Sequence, residues 1–115
     1  MSDVYPRNLH SAYHAHVYFD ASTLAFAQAL CEQAGQQLNV QVGRVHERPV
    51  GPHPCWSCQL SFTSADFDQV VPWLDARRNG LDVLVHGLTG DNLKDHTDYA
   101  YWLGNAQTLN LEMFR

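Results

Sequence analysis

Apolar and polar residues alternate along "SAYHAHVYF", residues 11–19. The alternation predicts a first strand with Ala15, Val17 and Phe19 on one face and His14, His16 and Tyr18 on the other. From Asp20 the period lengthens. Leu24, Phe26, Ala27, Leu30, Cys31 and Ala34 recur at helical spacing behind an Asp or Ser cap, predicting a helix of about four turns that ends near Gly35. Residues 38–46, "LNVQVGRVH", alternate again and read as a second strand with Leu38, Val40 and Val42 on its apolar side.

A loop rich in Pro and Gly, Glu47 to Pro54, leads into "CWSCQLSF", a third strand carrying Trp56, Cys58, Leu60 and Phe62 on one side. "TSADFDQVVPWLDARRNG" predicts a second helix, capped at Thr63 or Ser64 and stopped at Gly80, with a kink or break at Pro72. Residues 81–86, "LDVLVH", form the fourth strand. Beyond it the pattern predicts a polar loop, a short helix over "DHTDYAYWLG" and a last extended piece, "TLNLEMF". The order β-α-β-β-α-β implies an α+β, ferredoxin-like sandwich: an antiparallel sheet in spatial order 4-1-3-2 with both helices on one face, plus a C-terminal extension.

Composition fits one domain over residues 1–115, with 45% apolar and 17% charged residues, the balance of a folded globule. A formal net charge of −5, with only 7 Lys and Arg, leaves no basic stripe for phosphates, so nucleic acid is not an expected partner. No run reaches the ~18 apolar residues that cross a bilayer, and the polar, His-containing first residues do not resemble an export signal; a cytoplasmic protein is expected. The 3 cysteines then read as reduced thiols. Cys55 and Cys58 form a C-x-x-C, but they run into a strand pattern where positions three apart face opposite sides, which argues against a redox or metal pair.

The polar strand faces carry the candidate chemistry. If Ala15, Val17, Val83 and Val85 pack under the helices, then His14, His16 and His86 share the other face, and His53 joins them by parity with Cys55, Ser57 and Gln59. The predicted strand order puts His86 beside His14 and His53 toward His16 and Tyr18. With strands about 4.8 Å apart, imidazoles from adjacent strands reach a common ion. An H-x-H alone is a weak signal, since single histidines on sheets are mostly hydrogen-bonded or solvated. His14, His16 and His86 together are the preferred metal set, and a polar sheet face or a dimer contact is the competing reading.

"HAHVYF", "PVGPHP", "VVPWLDARRNGLDVLVH" and "TGDNLKDHTDYAYWLG" resemble, in the same order and at similar spacing, the family named for DOPA 4,5-dioxygenase. The resemblance spans roughly residues 10 to 112. Two places depart from it: "HGLTGD", with Gly87 and Leu88 where the family tends to have Pro and Asn, and "CWSC" after the "PHP" block.

The resemblance implies extradiol ring cleavage, in which a catechol such as L-DOPA binds a non-haem Fe(II) through its two oxygens and dioxygen enters the ring beside the diol. Such iron sites commonly use two His and one carboxylate. Asp91, five residues after His86, is the first carboxylate candidate, with Glu47 and Asp95 behind it, and an all-histidine site is equally compatible. Another divalent metal such as Zn would suit the same nitrogens. His53 and His96 are then acid/base or substrate-orienting groups. Tyr18, Arg48 and Asp91 are the substrate-side candidates, with catechol and dioxygen as small-molecule partners. A homodimer is expected from the need to cover an open sheet face. The alternative is a non-catalytic metal- or small-molecule-binding module.

Overall fold

A computed structural model describes residues 5–115. Its elements are β1 (Ala12–Phe19), α1 (Leu24–Gln37), β2 (Gln41–His46), β3 (Trp56–Thr63), α2 (Ser64–Arg77), β4 (Val83–Gly87), a short α3 (Asn92–Asp95), β5 (Ala100–Leu103) and a closing 3-10 turn, Glu112–Phe114. All strand pairs are antiparallel, and the sheet runs β2-β3-β1-β4-β5. The ferredoxin-like order of the first four strands is therefore present, with β5 added beyond β4.

Strand parity decides the main core. Tyr13, Ala15 and Val17 of β1, Cys58, Leu60 and Phe62 of β3, Val83 and Val85 of β4, and Tyr101 and Leu103 of β5 all point to one face. Ala27, Leu30, Cys31 and Ala34 of α1 and Phe67, Val70, Val71 and Leu74 of α2 close on that face. Each large aliphatic side chain so buried contributes on the order of 1.5–3 kcal/mol. Gly35 lets α1 approach β2 closely: a Cβ there would lie 2.7 Å from Val42 Cγ2.

Several expectations are corrected. "AYWL" is strand β5, not part of a helix, because the bare edge of β4 offers it a hydrogen-bonding partner with Leu84 opposite Trp102. The segment "TLNLEMF" is not extended throughout and ends in the 3-10 turn. Pro72 does not break α2, which continues through it to Arg77. Phe26 is 38% exposed rather than core. Asp20 does not cap α1; its Oδ1 accepts from the Ser22 and Thr23 amides one turn earlier, and Thr23 stands at the N-cap with its hydroxyl bonded back to Asp20 rather than to a helix amide.

The largest departure concerns the second face of the sheet, which is not open. Residues of the 47–55 loop and of the chain after β5 fold over it, tied together by the Asn110 amide donating to the Pro52 carbonyl at 2.9 Å. Tyr18, Leu84 and Trp102 form a second small core there, with Cys55, Ala100 and Leu109 against it. These segments of the chain itself cover that end of the face. Among the described residues, no helix is long and apolar enough to cross a membrane.

Candidate metal centre

The histidines stand at the other end of this covered face. His14 and His86 are direct register partners across β1 and β4, and His16 follows two residues on. One ligand nitrogen from each of His14, His16 and His86 lies within 4.8 Å of the other two. His16 and His86 are buried and His14 is half-buried. The closest approach is His16 Nε2 to His86 Nε2, 3.0 Å.

Hydrogen bonding fixes one end of that contact. His86 Nδ1 lies 3.0 Å from the Gly87 carbonyl, which can only accept, so Nδ1 carries the hydrogen and Nε2 of the neutral ring is a lone-pair donor. A backbone carbonyl orienting a ring in this way is the usual support for a metal-binding imidazole. Two nitrogens about 2.1 Å from one ion at a right angle would stand about 3.0 Å apart, so the observed spacing suits a shared ion.

Two further rings lie against this pair. His53, from the loop before β3, packs on His16 with centroids 4.1 Å apart, and its Nδ1 meets the Tyr18 hydroxyl at 2.8 Å. His96, just after α3, packs on His86 at 4.3 Å and donates from Nδ1 to the Asn92 carbonyl at 2.7 Å. Phe114, from the closing 3-10 turn, stacks on the outer face of His96 at 4.7 Å.

Burial favours the neutral form of His14, His16, His53 and His86. Desolvation, then the proximity of His53 and the other imidazoles, pushes His16 well below the ordinary histidine range. Desolvation brings His86 down to about 3 and His53 to about 4, and His14 is lowered by the same cause. Neutral imidazole is the metal-binding form.

The remaining candidates are placed differently. Asp91 is exposed and caps α3, its Oδ1 accepting from the Lys94 amide at 3.1 Å. Arg48 is exposed in the loop before β3, and Glu47 is exposed beside it. Tyr18 is buried beside Trp102, its ring 5.9 Å away. Asp95 is 2% exposed, but its carboxylate is taken up by Thr89, accepting from the amide at 3.0 and 3.2 Å and from the hydroxyl at 2.6 Å. It clamps the loop that follows His86. Asp95, a ligand candidate from the sequence, is thus bonded to Thr89, six residues before it. Phe114 had no local signal, because its role depends on where the chain end returns. Cys55 and Cys58 lie on opposite sides of β3, Cys55 against the Tyr18 cluster and Cys58 in the main core.

The model of the Dopa 4,5-dioxygenase family matches residues 13–113, nearly the whole chain and all five of the clustered histidines. The chain belongs to the Dopa 4,5-dioxygenase family. A DOPA 4,5-dioxygenase of Amanita muscaria is 35% identical over 108 residues, covering 86% of this chain and 47% of its own length. An uncharacterized 21.2 kDa protein of Botryotinia fuckeliana is 29% identical over 119 residues, 93% of this chain and 65% of its own. The chain thus spans about half to two thirds of these curated family relatives. A crystal structure of a candidate dioxygenase from Nostoc punctiforme is 47% identical and superposes with a TM-score of 0.89, covering 92% of both chains. The family fold therefore holds over the described residues.

Proposed function

We propose that this chain is a metal-dependent extradiol dioxygenase that cleaves the ring of a catechol, such as L-DOPA, with dioxygen. The observation that carries the reading is the convergence of His14, His16 and His86 nitrogens within 4.8 Å, in a chain of this family. His14, His16 and His86 would hold a non-haem Fe(II), and Zn(II) would fit the same nitrogens. Bound there, Fe(II) supplies a Lewis-acidic, redox-capable centre for the diol and dioxygen.

The chain's own residues do the rest. The Gly87 carbonyl holds the His86 ring so that Nε2 faces His16. His53 and His96 orient the diol and move its protons. Tyr18 stands next to His53 on the substrate side, while Arg48 and Asp91, exposed on loops near the cover, are left as contacts for the rest of the substrate. The cover formed by the 47–55 loop and the C-terminal segment keeps water from the rings. The 29% and 35% identities to longer relatives leave the choice of catechol to experiment.

Anaerobic reconstitution with Fe(II), followed by oxygen-uptake measurements with a panel of catechols, tests the reading. Wild type should bind one iron and consume oxygen with at least one catechol to give a yellow product, and His16→Ala and His86→Ala should do neither. Iron uptake without oxygen consumption by any catechol would make the chain a binding module instead.

A further inference from the structure

We propose that the two non-ligand histidines are set to opposite hydrogen-bonding roles before substrate arrives: His96 presents a bare Nε2 as acceptor, and Tyr18 holds His53 as the tautomer whose Nε2–H is a donor. The inference rests on the reading of the cluster as a metal site and adds to it the polarity of the groups beside that site.

The His96 half follows from its partner. Its Nδ1 lies 2.7 Å from the Asn92 carbonyl, and a carbonyl has no hydrogen to give. Nδ1 must therefore carry one, and the tautomer so fixed has its lone pair at Nε2. Phe114, stacked at 4.7 Å, and His86, at 4.3 Å, hold the ring between them.

The His53 half follows from Tyr18. The Tyr18 side chain is 3% exposed, and among the described residues its hydroxyl has one partner, His53 Nδ1 at 2.8 Å. A buried hydroxyl needs an acceptor for its hydrogen. If Nδ1 were the donor, the phenol hydrogen would have none, so the phenol donates and Nδ1 accepts. The hydrogen of neutral His53 then sits on Nε2. Tyr18 is thus a positioning residue acting through His53.

The chemical consequence is that the two rings beside the metal nitrogens differ in polarity, His53 offering a hydrogen and His96 accepting one.

Long-range proton–nitrogen NMR correlation of the histidine rings tests this on the full chain with Zn(II) added, which keeps the lines narrow. His53→Gln and His96→Gln spectra assign the two rings. The expected wild-type pattern is a bare Nδ1 and protonated Nε2 for His53, and the reverse for His96. In Tyr18→Phe, which keeps the ring beside Trp102, His53 should lose its single tautomer while His96 is unchanged. A protonated Nδ1 on His53, a bare Nδ1 on His96, or a His53 pattern identical in Tyr18→Phe would overturn the proposal. Should Tyr18→Phe not fold, the wild-type pattern decides alone. Failure of the metal reading appears separately, as no Zn(II)-induced shift at His14, His16 and His86.

Discussion

His16 and His86 face one another from neighbouring strands, Nε2 to Nε2 at 3.0 Å, in the buried face of the sheet. One of these nitrogens is bare, since His86 gives its hydrogen to Gly87. The pair is therefore satisfied either by a hydrogen on His16 or by an ion between the rings.

Removing either ring should abolish tight metal binding. Loss of a supporting group near a metal typically costs 10–100-fold in affinity, so loss of a ligand in His16→Ala or His86→Ala should cost more than about 100-fold. Titration calorimetry with Zn(II) measures this. Wild-type affinity in either variant would remove the substituted residue from the ligand set.

Acid should weaken the fold through the same rings. The folded-state pKa values of His86 and His53 are lowered, to about 3 and about 4, while an unfolded histidine titrates near 6.5. The unfolded chain therefore binds more protons below about pH 6.5, and stability falls as pH drops from there toward the folded values. Above pH 7 the contribution is flat. Urea midpoints of the metal-free protein at pH 7.5, 6 and 5 should decline in that order, and equal midpoints at pH 7.5 and 5 would contradict the buried, neutral state of these rings.

Asp95 should matter for stability rather than as a ligand. Its buried carboxylate accepts from the Thr89 amide and hydroxyl. Asp95→Ala removes these hydrogen bonds to a charged acceptor, at a cost of about 1.5–3 kcal/mol. Denaturant midpoints read the loss, and a midpoint unchanged from wild type would show that the clamp is dispensable.

Gly87 is required by its neighbour and not by its backbone. A Cβ at this position would stand 2.6 Å from His10 Cδ2, and His10 also holds the Tyr101 hydroxyl through Nε2 at 3.0 Å. Gly87→Ala should therefore destabilise by about 1–3 kcal/mol, the usual cost of overpacking. A double variant with His10→Ala should recover part of it, because the obstructing ring is gone. Additive losses in the double variant would place the cause elsewhere.

The sequence by itself determined the side-chain parity of β1, β3 and β4, the two main helices and hence the meeting of His14, His16, His86 and His53. These features are local: alternation with period two fixes which face a residue takes, and the β-α-β-β-α-β order leaves few strand arrangements. Only the tertiary structure decided that Ala100–Leu103 would yield a strand, since aromatic residues at that spacing suit either element and the bare edge of β4 selects one. Only it closed the second face, because the bond from Asn110 to Pro52 and the stacking of Phe114 on His96 join segments far apart in the chain. Periodicity carries no record of such closures. They turned an expected open ligand face into one in which His16, His53 and His86 are buried.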